Sequence, residues 1–276
     1  MIRGTTRLIA HVGDPIDAVK APMIYNPFFE HRRIDAIVVP MGVATRDYET
    51  VLPALFKLTN IVGALVTMPH KVSTLGLLDD RTEAVRIAGS CNAVLRRPDG
   101  ALMGDMFDGA GFVRGLMRKG FDCEGASCLV VGAGGVGSAI AAALAKAGVA
   151  SIALHDTNLS ASEGLRRRLT QHYPGLEVEL RAPRAAGYDL AVNATPLGMR
   201  PGDPLPMDLD GLAPTTFVGE VVMKQEVTPL LRAARLRGCP TQVGTDMLFE
   251  QIPLYLEFFG LAKTEPGELR ALARLD

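Results

Sequence analysis

The run Cys128-Leu-Val-Val-Gly-Ala-Gly-Gly-Val-Gly137 passes from an apolar β-type segment straight into glycines at 132, 134 and 137. This is G-x-G-x-x-G between a strand and a helix, and each glycine has its own backbone duty. Gly132 permits the tight turn, Gly134 lets backbone amides approach a pyrophosphate, and Gly137 lets the Ala-rich helix over 138–147 pack closely on the strand. Ala133, Gly135 and Val136 complete a loop that delivers an anion to the helix N-terminus, where amides and dipole favour negative charge. A second apolar run over 151–155 ends in Asp156, about two dozen residues beyond Gly132, the place of an acid that hydrogen-bonds the ribose of NAD. The expected cofactor is therefore NAD. NADP stays possible through Arg166, Arg167 and Arg168, which as a helical charge run also read as a solvated face.

Before this motif, β-type runs over 7–12, 34–39, 61–67 and 93–96 alternate with helical segments over 46–57 and 72–88. That rhythm predicts an open, mainly parallel α/β sheet, because parallel strands need crossover connections. After it, runs over 127–131, 151–154, 176–180, 190–193 and 217–222 supply a second sheet of Rossmann type. The expected organisation is two α/β domains, residues 1–107 with 243–276 binding substrate and residues 108–242 binding NAD(P). A helix over 109–119 bridges them across a cleft, and a tail helix over 245–259 returns to the first domain despite Pro253.

A chain of 276 residues, 48% of them hydrophobic and 21% charged, can bury a core in each domain. Its formal net charge of −1, with no basic block in either half, lacks the electrostatic footprint of nucleic-acid or anionic-membrane binding. The expected partner is a small molecule, and the expected state a monomer or homodimer. Cys91, Cys123, Cys128 and Cys239 lack metal-ligand spacing and read as reduced structural thiols, with no metal expected. The first residues carry no apolar signal-peptide core and no apolar run reaches membrane-spanning length, so the expected location is the cytoplasm.

For chemistry, Ala64-Leu-Val-Thr67-Met-Pro-His70-Lys71 ends a β-run with a turn and a lysine, at the carboxyl end where open α/β sheets place ligands. Taken with Gly89-Ser-Cys-Asn92, Asp108-Gly-Ala-Gly-Phe112, Val192-Asn-Ala-Thr195-Pro-Leu-Gly-Met199, Thr228-Pro-Leu-Leu231 and Met247-Leu-Phe-Glu-Gln251, the chain resembles the shikimate/quinate dehydrogenase family over nearly its whole length. The resemblance implies that Lys71 and Asp108 flank the substrate hydroxyl that becomes a ketone as hydride passes to nicotinamide, one of them moving the proton. It implies Asn92 and Gln251 as amide ligands of ring hydroxyls and Thr67 as a further hydroxyl contact. Asn193, Thr195 and Met199 match the loop over the adenosine side, Met247 a residue near nicotinamide, and Val221 and Gly244 complete the cofactor-binding set.

Departures concentrate at the substrate end. Where the family carries His-Ser-x-Ser-Pro, whose hydroxyls bind the substrate carboxylate, this chain reads Ala18-Val19-Lys20-Ala21-Pro22. Losing two charged hydrogen bonds costs roughly 3–6 kcal/mol of recognition. Leu65 replaces an asparagine, His70 an aromatic residue and Met223 a tyrosine, so these positions predict a rebuilt pocket in which Lys20 supplies a point charge for a carboxylate. The expected activity is hydride transfer between NAD(P) and a secondary alcohol of a cyclic hydroxy acid, such as shikimate or quinate. The alternatives are a paralogue acting on an amino- or otherwise substituted analogue, and a non-catalytic dinucleotide- or metabolite-binding regulator.

Overall fold

The computed structural model describes residues 2–17 and 19–275. The chain divides into two compact units. One comprises the chain up to Arg86, Ser90–Phe107 and the segment from Ile252 onward, and the other Ile87–Gly89 and Asp108–Gln251.

In the first unit the elements follow as β1 (Arg7–Gly13), α1 (Ala21–His31), β2 (Ala36–Gly42), α2 (Tyr48–Leu55), β3 (Ile61–Val66), β4 (Asp80–Arg81), α3 (Glu83–Ala88, shared with the second unit), β5 (Ala93–Arg96) and β6 (Leu102–Asp105). Its sheet has the order β2-β1-β3-β5-β6-β4. The pairs β1–β2, β1–β3 and β4–β6 are parallel, whereas β5 runs antiparallel to both β3 and β6. A hairpin reverses the chain between β5 and β6 through Gly100, whose φ of 92° suits a residue without Cβ. Because β1 lies between β2 and β3, the crossovers leave it in opposite directions. A crevice therefore opens at the carboxyl ends of β1 and β3, the topological switch point.

The segment 72–88 is not the single helix its pattern predicts. It holds a short 3-10 turn over Ser73–Leu77, then β4, then α3. Local side chains interrupt it: Asp80 accepts from the Arg81 amide, Asp79 from the Leu102 amide, and the Thr82 hydroxyl donates to Asp105. Such side-chain bonds compete with helix formation.

The second unit contains α4 (Asp108–Arg118), β7 (Ser127–Val131), α5 (Gly135–Lys146), β8 (Ser151–His155), α6 (Leu159–His172), β9 (Glu177–Leu180), β10 (Leu190–Asn193), β11 (Phe217–Glu220), α7 (Pro229–Leu236), β12 (Thr241–Gln242) and α8 (Gly244–Phe258). The order β12-β11-β10-β7-β8-β9, parallel throughout, is the Rossmann arrangement, with its switch point between β7 and β10. One face buries Val130, Ile140, Leu144, Leu165 and Leu169, and the other Leu129, Val131, Ala191, Val218 and Leu231. The four cysteines are free and buried. Beyond residue 251 the rest of α8, together with α9 (Pro266–Leu272), belongs to the first unit, where Phe259 presses its ring on Gly63 of β3. Among the described residues no helix is long and apolar enough to cross a membrane.

Helix α4 crosses α5 so closely that a Cβ on Gly109 would run into the Ala139 carbonyl, with the Ala143 methyl 2.9 Å away. Gly109→Ala should therefore destabilise the second unit by about 1–3 kcal/mol. Urea denaturation checks this, and an unchanged midpoint would contradict the close crossing.

Candidate active site

At the switch point of the first unit, backbone bonds fix the turn after β3 against β1. The Thr67 amide donates to Val12 O at 2.9 Å and the Asp14 amide to Met68 O at 3.0 Å. Lys71 leaves this turn half-buried, its carbonyl accepting the Cys91 amide at 2.8 Å, so the lysine turn and the Asn92 strand are tied together. Asn92 is 1% exposed. Its Oδ1 accepts the Phe107 amide at 3.0 Å, while its Nδ2 has no partner among the described residues. An unpaired buried amide N–H is costly, and here it marks a donor kept for something the protein itself does not supply. The backbone carbonyl of Asn92 is held by the Val66 amide and the Tyr255 hydroxyl.

His11, on β1, is also buried and its Nδ1 has no partner among the described residues; sequence reasoning missed it, since a lone histidine in an apolar strand resembles core. Burial, reinforced by the ammonium of Lys71, pushes its imidazole down to about 4. His70, on the turn after β3, packs as a flat ring. It is fully buried, stacks on Tyr48 with ring centroids 3.9 Å apart, its Nε2 lies 2.8 Å from Val43 O, and its Nδ1 has no partner among the described residues. Flat ring-on-ring packing is what an aromatic residue at that position would provide. Ala21 is buried at the start of α1, with Lys20 at the helix N-cap and the Val19 amide donating to Ile16 O. Ala18 lies outside the described residues.

In the second unit the glycine loop joins β7 to α5. Gly132 has φ 107°, and a Cβ on Gly137 would strike the Gly132 carbonyl, so both positions require glycine. Gly134 is the N-cap of α5 and contributes no side chain to the helix end. It is exposed, and a Cβ built there meets nothing within 4 Å. This open space before a helix N-terminus fits a dinucleotide pyrophosphate. Asp156 follows β8, and its Oδ2 accepts the Ala133 amide at 2.6 Å while Oδ1 accepts the Asn158 amide at 2.8 Å. The acid thus fixes the glycine loop and places a negative charge beside it. Arg168 donates from Nε and Nη2 to the carbonyls of Ile87 and Ala88, so it serves the end of α3 instead of a phosphate.

The loop after β10 is braced from within. Asn193, fully buried, donates from Nδ2 to Leu197 O and to Glu220 Oε1, and its Oδ1 accepts both the amide and the hydroxyl of Thr195. Sequence reasoning missed Glu220, which also accepts from the Thr228 hydroxyl and from the amides of Val221 and Val222. Burial raises its carboxyl above the ordinary value, against the lowering effect of these donors. Met247 is buried in the core, Val221 and Met223 pack on it, and Gly244 meets the Val222 carbonyl where a Cβ would stand. Asp108, buried, opens α4, and Gln251 is buried with Oε1 unpartnered.

Together the two units define an α/β protein with a Rossmann nucleotide-binding unit and a second sheet carrying polar groups at its switch point. A model of the "Shikimate dehydrogenase substrate binding domain" matches residues 12–94, and a "ThiF family" model matches residues 122–172, which span β7 to α6. Shikimate dehydrogenase (NADP(+)) of Rubrobacter xylanophilus is 37% identical over 254 residues, covering 91% of this chain and 89% of that protein. The structure of Listeria monocytogenes shikimate 5-dehydrogenase in complex with shikimate and NAD superposes with a TM-score of 0.89 at 27% identity, covering 98% and 97% of the two chains. Ligand-free 5-ketofructose reductase of a Gluconobacter species gives 0.86 at 25% identity, covering 97% of each chain. The chain belongs to the shikimate dehydrogenase family.

Because the Glu220 carboxyl titrates above its ordinary value of 4.5 in the folded state, its stabilising contribution is complete below that pH and is lost as pH rises through the folded value. Glu220→Gln, which keeps an acceptor and does not ionise, should match the wild type near pH 4 and gain stability relative to it toward pH 8. Glu220→Ala should lose at least about 2 kcal/mol at every pH, by stranding buried donors. Thermal unfolding across that range checks both, and a Gln variant whose deficit grows with pH would contradict the assignment.

Proposed function

We propose that the chain is an NAD(P)-dependent dehydrogenase that passes hydride between nicotinamide and a secondary alcohol of a polyhydroxylated ring acid of the shikimate or quinate type. The observation that carries this reading is the unpartnered Asn92 amide beside the Lys71 turn, at the carboxyl-end crevice of the first sheet. Lys71, on the turn at this crevice, and Asp108, at the start of α4, are the pair that would handle the proton of the reacting hydroxyl. Oxidising an alcohol requires an acceptor within hydrogen-bond reach, and reducing a ketone requires a donor there. Asn92 and Gln251 hold neighbouring hydroxyls, and Thr67 adds a third contact. NAD(P), when bound, supplies the hydride acceptor or donor. The glycine loop before α5 would hold its pyrophosphate, and the fully bonded Asn193 side chain shapes the neighbouring loop. The setting is the cytoplasm, as a monomer or homodimer.

A second substrate reading has its own support. Positions 19, 21 and 223 carry no hydroxyl, and the likeness to 5-ketofructose reductase favours a polyhydroxylated ketone without a carboxylate. The 340 nm signal of NADH, formed with shikimate, quinate or fructose and consumed with 5-ketofructose, separates the two.

Lys71→Ala and Asp108→Asn should each lower kcat by roughly 10²-fold or more, the usual worth of a positioned acid–base group, while leaving NAD affinity unchanged. Binding of NAD without turnover of any substrate by the wild type would support a regulator and defeat the enzyme reading. As to cofactor choice, the Asp156 carboxylate repels a 2′-phosphate, and Arg168 is engaged elsewhere. The wild type should favour NAD over NADP in kcat/KM, and Asp156→Asn should narrow that preference at least tenfold. A wild-type preference for NADP would overturn it.

A further inference from the structure

An imidazole inside a central parallel strand needs partners for its nitrogens, because a buried polar atom left alone costs about 1–3 kcal/mol. His11 occupies such a place. It is 8% exposed, and among the described residues its Nδ1 finds no partner. Its register neighbours are Pro40 on β2 and Leu65 on β3, whose side chains form no hydrogen bond. In-register residues of a parallel sheet share a face, so His11 and Leu65 point to the same side, and only the histidine is polar there. The Gly13 backbone two residues on faces the Thr67 methyl group, which puts His11, Leu65 and Thr67 along one face of the β1–β3 crevice.

We propose that His11 is a substrate-binding residue whose ring hydrogen-bonds a hydroxyl of the polyhydroxylated substrate, beside the alcohol served by Lys71, and thereby sets which hydroxyl pattern the crevice accepts. The proposal rests on the dehydrogenase reading above. A hydroxyl suits the site because it donates and accepts, and so satisfies either imidazole tautomer. A carboxylate would draw a proton onto the ring, and burial together with the Lys71 ammonium disfavours the charged form.

The test combines His11→Leu and His11→Gln with shikimate, quinate, 5-ketofructose and the monodeoxy analogues of shikimate. For hydroxylated substrates turned over by the wild type, His11→Leu should raise KM roughly tenfold with little change in kcat, the worth of one lost hydrogen bond. His11→Gln should recover most of that loss. For the analogue lacking the contacted hydroxyl, wild type and Leu variant should have equal KM. A Leu variant with wild-type KM, or with the same penalty on every analogue, overturns the proposal. The ring-nitrogen resonances of His11 give a readout that does not depend on turnover. Displacement by saturating substrate in the presence of NAD supports the contact, and resonances unmoved by all of these compounds overturn it. Absence in the wild type of both NADH formation from the alcohols and NADH consumption with 5-ketofructose, by contrast, defeats the dehydrogenase reading itself.

Discussion

A polar atom sealed from water must find a partner, and this fold satisfies that requirement unevenly. In the second unit the buried Glu220 carboxylate receives four donors and thereby holds β10, β11 and the start of α7 in one arrangement. Asp156 does similar work at the glycine loop through the Ala133 amide. Among the described residues of the first unit, Asn92 Nδ2, just before β5, and His11 Nδ1, near the carboxyl end of β1, have no partner, as is true of Tyr25 Oη, His70 Nδ1 and Arg97 Nε; in the second unit Gln242 Oε1 and Gln251 Oε1 are left the same way. Where a ligand completes such a group, the cost of the missing bond is recovered as binding free energy.

The two sheets use one geometric rule for different ends. Each reverses its winding at a central strand, which opens a crevice at the carboxyl ends. In the all-parallel sheet that crevice is lined by glycines, so backbone amides and a helix dipole face an anion. In the mixed sheet the turn after β3 and the neighbouring strands bring Thr67, Lys71, His11 and Asn92, which on the proposed reading meet substrate hydroxyls. On that reading, cofactor and substrate take the same topological position in the two sheets.

Much of this was legible in the sequence. The glycine loop, the five Rossmann strands from β7 to β11 and the helix that continues through Pro253 carry strong local signals, because each satisfies period, propensity and turn chemistry at once. The segment 72–88 did not, since its helical pattern is overridden by the side-chain bonds of Asp79, Asp80 and Thr82. The reversed β5 depends on a hairpin whose partner β6 has only four residues. Lys71, Asn92 and Asp108 are named through motif resemblance, whereas His11 and Glu220 are not. A histidine between alanine and valine looks like core, and a carboxylate that braces a loop has no sequence signature. His70 departs from the motif and stacks its flat ring on Tyr48.

The central claim is that Asn92 Nδ2, which finds no partner among the described residues, is completed by substrate. A crystal structure with NAD and shikimate tests it most directly. The account predicts Asn92 Nδ2 within hydrogen-bond distance of a ring hydroxyl, with the pyrophosphate seated at Gly134. Shikimate bound elsewhere, with that amide still unpaired, would contradict it.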